Sequence, residues 1–176
     1  MVIWVTGLSG AGKTTLCRAL YDRLKTHIPQ LVWLDGDVVR KAFGNDLGYS
    51  EEERQTQLKR LQNLAKVLSH QGLVVLVAVL YSHPDFLKWN RQNFPEYFEI
   101  YLSVALDVLR QRDEKGLYNG SVRNVVGLDI PWHPPQTPAL KINVDYKIPP
   151  ERLALDVISA IPKLAECLEM PRRKRI

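Results

Sequence analysis

Residues 7–14 of this 176-residue chain read GLSGAGKT, which matches the phosphate-binding pattern G-x-x-x-x-G-K-[ST] in full. A short run of β-branched and aromatic residues at 2–6 precedes the motif, and a helical pattern at 14–25 follows it. In this setting of strand, glycine-rich turn and helix, backbone N–H groups and a helix N-terminus bind phosphates. The stretch therefore predicts an α/β fold of the P-loop nucleoside triphosphate hydrolase type.

Each fixed residue of the loop has a role in phosphate chemistry. We expect Lys13 to reach the β- and γ-phosphates of ATP and Thr14 to offer its hydroxyl to Mg²⁺. The other nucleotide-binding residues of the loop are predicted to be Gly7, Ser9, Gly10, Ala11, Gly12 and Thr15. GTPases, ATP-driven motors and small-molecule kinases share this loop, so the motif predicts nucleotide binding without choosing a reaction.

The rest of the chain alternates strand-like and helix-like segments. Apolar runs predict further strands at 31–34, 73–80, 97–102 and 140–144. Helical patterns follow at 50–70, 85–93, 106–113 and 150–168, and Ser50 with Glu53 has the form of a capping box. This alternation predicts one domain over residues 1–176, with a parallel sheet and helices on both of its faces. Glycine and proline from 115 to 138 predict a lid over about 112–138.

Composition and charge exclude several classes of protein. The chain has 24 Lys and Arg against 19 Asp and Glu, a net charge of +5, and four of the basic residues lie within 172–175. We therefore expect the basic tail at 171–176 to be a solvated terminus and not a nucleic-acid site. The longest apolar run, at 73–81, is far shorter than the roughly 18–20 residues of a membrane-spanning helix. With no signal peptide and only Cys17 and Cys167, the sequence predicts a cytoplasmic protein that does not bind membranes.

Two carboxylates follow the second predicted strand, in the order Asp35-Gly36-Asp37. We expect both to face the phosphate loop from the neighbouring strand end. One would help to hold Mg²⁺, and the other would orient or deprotonate an acceptor hydroxyl. The chain lacks the N/T-K-x-D stretch that reads guanine, and its length leaves little room for the coupling elements of a motor. The pair therefore favours a kinase in which Lys13, Asp35 and Asp37 are catalytic.

Four stretches together resemble the adenylylsulfate kinase family, whose members phosphorylate the 3′-hydroxyl of adenosine 5′-phosphosulfate. They are GLSGAGKTT at 7–15, LDGDVVR at 34–40, DLGYSEEER at 46–54 and RDEKGLY at 112–118. The resemblance covers roughly residues 2–145. It implies a phosphotransferase that depends on ATP and Mg²⁺ and forms a homodimer. Within it, Thr14 and Asp35 would lie beside the metal, with Asp35 as the base or the metal-side carboxylate.

The resemblance also assigns residues to the two substrates. Arg40 and Arg54 match arginines that hold the anionic 5′ group of the acceptor, and Tyr49 replaces an aromatic residue that is usually Phe. Arg112 is assigned to nucleotide binding, and Lys115 lies in the lid segment that closes over both substrates. The remaining acceptor-side candidates are Gln57, His83, Leu117 and Val125.

The departures from the family pattern concentrate on the acceptor side. Gln57 stands where the family has Asn, and Tyr-Ser-His-Pro at 81–84 stands where it has Ser-Pro-Tyr-Arg. Val125 aligns with the Phe that stacks on the adenine of the acceptor. NVVGLDIP at 124–131 resembles family members whose acceptor is cytidine diphosphoramidate. Both acceptors therefore stay open at this point.

Two further classes of function are compatible with a phosphate loop. A nucleotide-binding regulatory module would bind ATP without releasing ADP in response to an acceptor. A nucleic-acid-end kinase would depend on the basic tail and would lose affinity steeply with salt. The sequence favours the small-molecule kinase over both.

Overall fold

The computed structural model describes residues 1–113, 116–118, 120 and 122–169. The strands among them are β1 (Val2–Thr6), β2 (Leu31–Asp35), β3 (Val74–Val79), β4 (Tyr97–Ser103) and β5 (Leu140–Asn143). The helices are α1 (Lys13–Leu24), α2 (Gly36–Ala42), α3 (Glu51–His70), α4 (Pro84–Asn93), α5 (Leu106–Arg112), α6 (Pro150–Ala160) and α7 (Pro162–Glu169). The predicted site residue Lys115 and the basic tail at 171–176 lie outside the described residues.

The strands form one parallel sheet in the order β2-β3-β1-β4-β5. Thr6, the last residue of the central strand β1, lies opposite Val79 of β3 and Tyr101 of β4. The carboxyl ends of these strands meet at one edge, where the phosphate loop leaves β1. This arrangement confirms the predicted P-loop α/β fold. Because β3 lies between β1 and β2, the expectation that Asp35 ends the strand next to β1 is wrong.

Helices cover both faces of the sheet, as the sequence predicts. Successive residues of a strand point to opposite faces, so β1 contributes to two apolar cores. Ile3 and Val5 pack with α1, α6 and α7, whereas Val2 and Trp4 pack with α3, α4 and the lid. All four side chains are at most 1% exposed. The central strand is therefore fixed from both sides, and it fixes the origin of the phosphate loop.

Most predicted elements are confirmed to within one or two residues, but the closing helix is not. The helix predicted over 150–168 consists of α6 and α7, separated at Ile161, which has φ −117° and ψ 98°. The ring of Pro162 disfavours helical backbone in the residue before it, so α6 ends there.

Helix α2 is absent from the sequence-based assignment. It begins directly after β2, and the Asp35 side chain caps it by accepting hydrogen bonds from the N–H groups of Asp37 and Val38. An Asp at a helix N-cap is a common start signal, and here it is hidden because the same residue ends a strand. Within the described ranges, no helix combines the length and the hydropathy that a membrane-spanning segment needs.

Candidate active site

The phosphate loop adopts a conformation that requires glycine at two positions. Gly12 has φ +90° and stands at the N-terminus of α1. A Cβ at Gly7 would lie 2.6 Å from the carbonyl oxygen of Leu102 on β4. Gly7 thus lets the loop pass close to the sheet, and Gly12 turns the chain into the helix.

A cavity of about 170 Å³ lies between this loop and residues 35–37. The predicted nucleotide-binding residues that line it are Ser9, Gly10, Gly12, Lys13, Thr14 and Thr15. Gly7 and Ala11 do not line the cavity and shape the loop from behind; Ala11 closes a turn by donating its N–H to the carbonyl oxygen of Leu8. The N-terminus of α1 opens onto this cavity, which is the position that favours a bound anion.

The cavity at the phosphate loop, called the first cavity below, contains three kinds of polar group, which belong to Lys13, Thr14 and Asp35. Nζ of Lys13 donates to the carbonyl oxygen of Leu8, 2.8 Å away. The Thr14 hydroxyl donates to Oδ2 of Asp35, 2.9 Å away. A cation, a hydroxyl and a carboxylate therefore converge where a polyphosphate would lie.

Asp35 is fixed in place by both of its carboxylate oxygens. Oδ1 accepts the N–H groups of Asp37 and Val38 at 3.0 Å and 3.3 Å, and Oδ2 accepts the Thr14 hydroxyl. The residue is only 8% exposed. The carboxylate thus reaches the phosphate loop even though β3 separates β2 from β1.

The hydroxyl of Thr14 and the carboxylate of Asp35 suit a Mg²⁺ ion. This ion prefers oxygen ligands and is usually held by one or two carboxylates together with substrate phosphates. In the part of the chain that the structure describes, no group of three or more His, Cys, Asp and Glu side chains could hold a metal. The donor set therefore fits a metal that binds together with a polyphosphate.

A second cavity, of about 330 Å³, adjoins the first between α2, α3, the end of β3 and the lid. The predicted acceptor-side residues Arg40, Tyr49, Arg54, Gln57, Leu117 and Val125 line it. Ser9, Gly36, Asp37 and Leu80 line both cavities. Ligands in the two cavities would therefore meet beside the carboxylate of Asp37.

Two guanidinium groups lie over the ring of Tyr49 in the second cavity. Cζ of Arg40 is 4.8 Å and Cζ of Arg54 is 5.3 Å from the ring centroid. Arg40 donates to the carbonyl oxygens of residues 47–48, and Arg54 donates to those of Tyr49 and Asn124. All four of these hydrogen bonds go to backbone carbonyl oxygens.

The charge of this pair favours an anionic ligand. Burial lowers the pKa of Arg54, and the nearby positive charge of Arg40 lowers it further. Both effects penalise the charged form, and an anion between the two guanidinium groups would offset them. Guanidinium groups also match phosphate and sulfate oxygens with paired N–H donors.

The described residues of the lid contact the phosphate loop. The Tyr118 hydroxyl donates to the carbonyl oxygen of Ser9 at 2.8 Å. The Asp113 carboxylate accepts the N–H groups of Leu117 and Tyr118, which ties the residue that makes this contact to the end of α5. Burial raises the pKa of Tyr118 to about 12, so its hydroxyl keeps the donated proton at neutral pH. Val125, 4% exposed, closes the second cavity from the lid side.

Comparison with known proteins shows the family of the chain. The family model described as adenylylsulphate kinase matches residues 1–143. The chain belongs to the adenylylsulphate kinase family. An adenylyl-sulfate kinase of Rippkaea orientalis is 36% identical over 151 residues, which cover 84% of this chain and 83% of that protein. The protein is thus an ATP-dependent nucleotide kinase by family.

The relatives of this chain carry two different acceptors in their names. A cytidine diphosphoramidate kinase of Campylobacter jejuni is 38% identical over 139 residues, which cover 77% of this chain and 81% of that protein. A solved structure of the Mycobacterium tuberculosis APS kinase in complex with AMPPNP and APS superposes with a TM-score of 0.80 at 29% identity. That match covers 92% of this chain and 96% of the solved one. Both relatives are kinases by name, whereas the acceptors in their names differ.

Two predicted site residues of this adenylylsulphate kinase family member lie away from both cavities. His83 caps α4 by accepting the N–H of Asp85 at 3.3 Å, and it lines a separate cavity between α3 and α4. Arg112, at the end of α5, donates to the carbonyl oxygens of residues 144–145. Their assignments to acceptor and ATP stay predictions.

Gln57 lies in the second cavity but has protein partners for both ends of its amide. Its Nε2 donates to the carbonyl oxygen of Gly36, and its Oε1 accepts from Arg60. The side chain is 5% exposed. Gln57 therefore ties α3 to the start of α2, the helix that carries Asp37 and Arg40.

Sequence reasoning missed Tyr81 as a cavity residue. Tyr81 follows β3, lines the second cavity and is 3% exposed. Its hydroxyl donates to Oε1 of Glu51 on α3 at 2.7 Å. The signal was present, because Tyr81 begins the stretch at 81–84 that departs from the pattern of the adenylylsulphate kinase family.

Proposed function

We propose that this kinase transfers the γ-phosphoryl group of ATP to the 3′-hydroxyl of adenylylsulfate. The observation that carries the proposal is the arrangement of Arg40 and Arg54 over Tyr49, in a cavity that adjoins the phosphate loop. A nucleotide with an anionic 5′ group offers the complementary features, an anion for the guanidinium groups and a flat base for an aromatic ring. In this proposal ATP takes the cavity at the phosphate loop, and the acceptor takes the second cavity.

The phosphate loop supplies the electrostatic part of catalysis. Lys13 exchanges its bond to the carbonyl oxygen of Leu8 for the β- and γ-phosphate oxygens, where negative charge builds up during transfer. Thr14 and Asp35 hold Mg²⁺, which supplies further positive charge beside the same phosphates. Catalysis in this proposal consists mainly of positioning and charge stabilisation.

The two carboxylates take different roles. Asp35 lines only the first cavity, and its oxygens are engaged by Thr14 and by the backbone at the start of α2. Asp37 lines both cavities. The acceptor hydroxyl has to approach the γ-phosphate where the cavities meet, so Asp37 is the carboxylate that orients or deprotonates it. Asp35 serves the metal.

The lid keeps water away from the transferring phosphoryl group. The bond from the Tyr118 hydroxyl to the Ser9 carbonyl closes the lid on the phosphate loop, and Arg54 reaches across to the Asn124 carbonyl at 2.8 Å. Excluding water suppresses hydrolysis of ATP and strengthens the charge interactions inside the site.

Cytidine diphosphoramidate is the second candidate acceptor. Two observations favour it: the Campylobacter jejuni relative that carries this activity in its name, and Val125 at the cavity wall in place of a stacking Phe. The anionic end of this acceptor would use the same two arginines. Homodimer formation and a cytoplasmic location, which the sequence analysis expects, stay predictions.

The proposed function is tested by acceptor-dependent ADP release. MgATP is supplied with adenylylsulfate or with cytidine diphosphoramidate, and kcat/KM is compared. Preference for adenylylsulfate supports the first acceptor, and preference for the cytidine compound replaces it with the second. ATP binding without ADP release for either acceptor would contradict both and favour the regulatory module.

Replacing Arg54 by lysine should weaken acceptor binding and leave the ATP side unchanged. A lysine keeps the charge but loses the forked donor, so we expect kcat/KM for the acceptor to fall by about 10- to 100-fold, as the loss of a charged hydrogen bond implies. The KM for ATP should stay near its wild-type value. Arg110→Lys on α5, where the native side chain is 53% exposed, is the matched control. An unchanged KM for the acceptor in Arg54→Lys would remove this arginine from the acceptor site.

A further inference from the structure

Tyr81 is the candidate residue for recognition of the acceptor base. It follows Val79 and Leu80 at the carboxyl end of β3, and all three line the second cavity together with Leu58 and Leu61 of α3. These four neighbours of Tyr81 are apolar, and the Tyr81 hydroxyl brings a polar atom beside them; Gln57 and Arg54 of α3 line the same cavity. A neutral base packs well against the apolar side chains, and the Tyr81 oxygen offers a contact for the polar edge of the base.

The hydrogen bond to Glu51 fixes the Tyr81 hydroxyl as a donor towards Glu51, which leaves its oxygen as an acceptor on the other side. A phenol has a single proton, and a carboxylate oxygen can only accept. With the Oη–Oε1 distance at 2.7 Å, the proton of Tyr81 is committed to Glu51. The phenol oxygen therefore acts as an acceptor towards any ligand.

The Tyr81 hydroxyl keeps its proton, and therefore its donor bond to Glu51, at neutral pH. Burial, and then the hydrogen bond to Glu51, raise the pKa of Tyr81 to about 12. The phenol therefore stays protonated from neutral to mildly alkaline pH.

We propose that Tyr81, oriented by Glu51, selects acceptors whose base carries an exocyclic amino group over those that carry a carbonyl group there. Adenine and cytosine present an amino donor at this edge, whereas hypoxanthine and uracil present a carbonyl oxygen. A carbonyl oxygen would face the phenol oxygen with no proton between them, and an unpaired contact of this kind is strongly disfavoured. This proposal rests on the proposed function for the placement of the acceptor, and it deepens that function by naming the class of base.

The test is equilibrium binding of matched nucleotide pairs. The phosphate loop is first saturated with AMPPNP and Mg²⁺, so that titrated nucleotides report on the second cavity. Calorimetry then compares CDP with UDP and ADP with IDP, which differ in the amino or carbonyl group. One of the two pairs will bind more tightly than the other. Within that pair, we expect the wild-type protein to bind the nucleotide with the amino group, CDP or ADP, about 10- to 100-fold more tightly than its carbonyl counterpart.

Two variants separate the proposal from a purely structural role for Tyr81. Tyr81→Phe keeps the ring and removes the oxygen, so the preference should fall to within about threefold of unity. Glu51→Gln lets the side-chain amide donate to the phenol, which frees the phenol proton for a carbonyl, so UDP or IDP should gain affinity. Tyr146→Phe, at a side chain that is 82% exposed, should keep the wild-type preference. An equal preference in wild type and Tyr81→Phe, or none in wild type, would overturn the proposal.

Activity measurements keep this proposal apart from the proposed function. If adenylylsulfate is phosphorylated normally but the amino preference is absent, Tyr81 has no such role and the proposed function stands. If the preference is present and lost in Tyr81→Phe while no acceptor receives a phosphoryl group, the base selection stands and the proposed function fails.

Discussion

Replacing Lys13 by alanine is expected to abolish phosphoryl transfer, with a fall in kcat of about 10³-fold or more. The lysine begins α1 at the edge of the phosphate-loop cavity, and in the proposed function its ammonium group is the cation that reaches the transferring phosphate. Alanine is the best helix-forming residue, so the first turn of α1 should persist. ADP release with saturating acceptor measures the effect.

The control for Lys13→Ala separates loss of chemistry from loss of fold. Lys88→Ala removes an exposed lysine on α4, away from both cavities, and should keep wild-type kcat. Melting temperatures of the two variants should lie close to that of the wild-type protein. A Lys13→Ala variant that turns over at the wild-type rate would remove the phosphate loop from the reaction and contradict the assignment.

Replacing Asp37 by asparagine is expected to lower kcat by about 10²- to 10⁴-fold, the usual contribution of a positioned general base. Asp37 lines both cavities, and in the proposed function its carboxylate acts on the acceptor hydroxyl where the cavities meet. Its backbone N–H donates to the Asp35 carboxylate at the start of α2, and asparagine retains that N–H group. The KM for ATP should change little, and single-turnover rates would show the loss directly.

Asp35→Asn is the informative comparison for Asp37→Asn. An asparagine at 35 can still cap α2 with its oxygen and can donate its amide to the Thr14 hydroxyl, so local structure should be kept. It loses the charge beside the metal, and the Mg²⁺ concentration for half-maximal activity should rise. Asp107→Asn, at a side chain that is 83% exposed, controls for charge removal in general. Identical effects of Asp35→Asn and Asp37→Asn would contradict the division of roles.

The two cavities differ in how far they follow the family pattern. The phosphate loop and the Asp35-Gly36-Asp37 stretch match it, and they form the first cavity. Val125 and Tyr81 depart from it, and both line the second cavity. The residues proposed for phosphoryl transfer therefore follow the family pattern, whereas two residues of the proposed acceptor cavity depart from it. The acceptor comparison and the Tyr81 variants both test the effect of these departures.

Local patterns in the sequence predicted most of the fold. The all-apolar run of β3 requires burial on both faces, and the capping box of Ser50 and Glu53 marks the start of α3 within a few residues. The phosphate loop is equally local, because its glycines act on their own backbone. The errors occur where one residue serves two elements, as Asp35 does for β2 and α2, or where a proline divides one helical pattern, as Pro162 does.

The sequence by itself determined the phosphate loop, the parallel α/β architecture and which residue types are available for the proposed acceptor site. These depend on short-range order: the period of apolar residues, backbone freedom at glycine, and motifs within ten residues. Only the tertiary structure decided which of these residues meet. It placed β3 between β1 and β2, put Asp37 at the junction of two cavities, moved His83 to another cavity, and paired Tyr81 with Glu51. Contacts between residues that are distant in sequence depend on how helices and strands pack, and no local pattern encodes that packing.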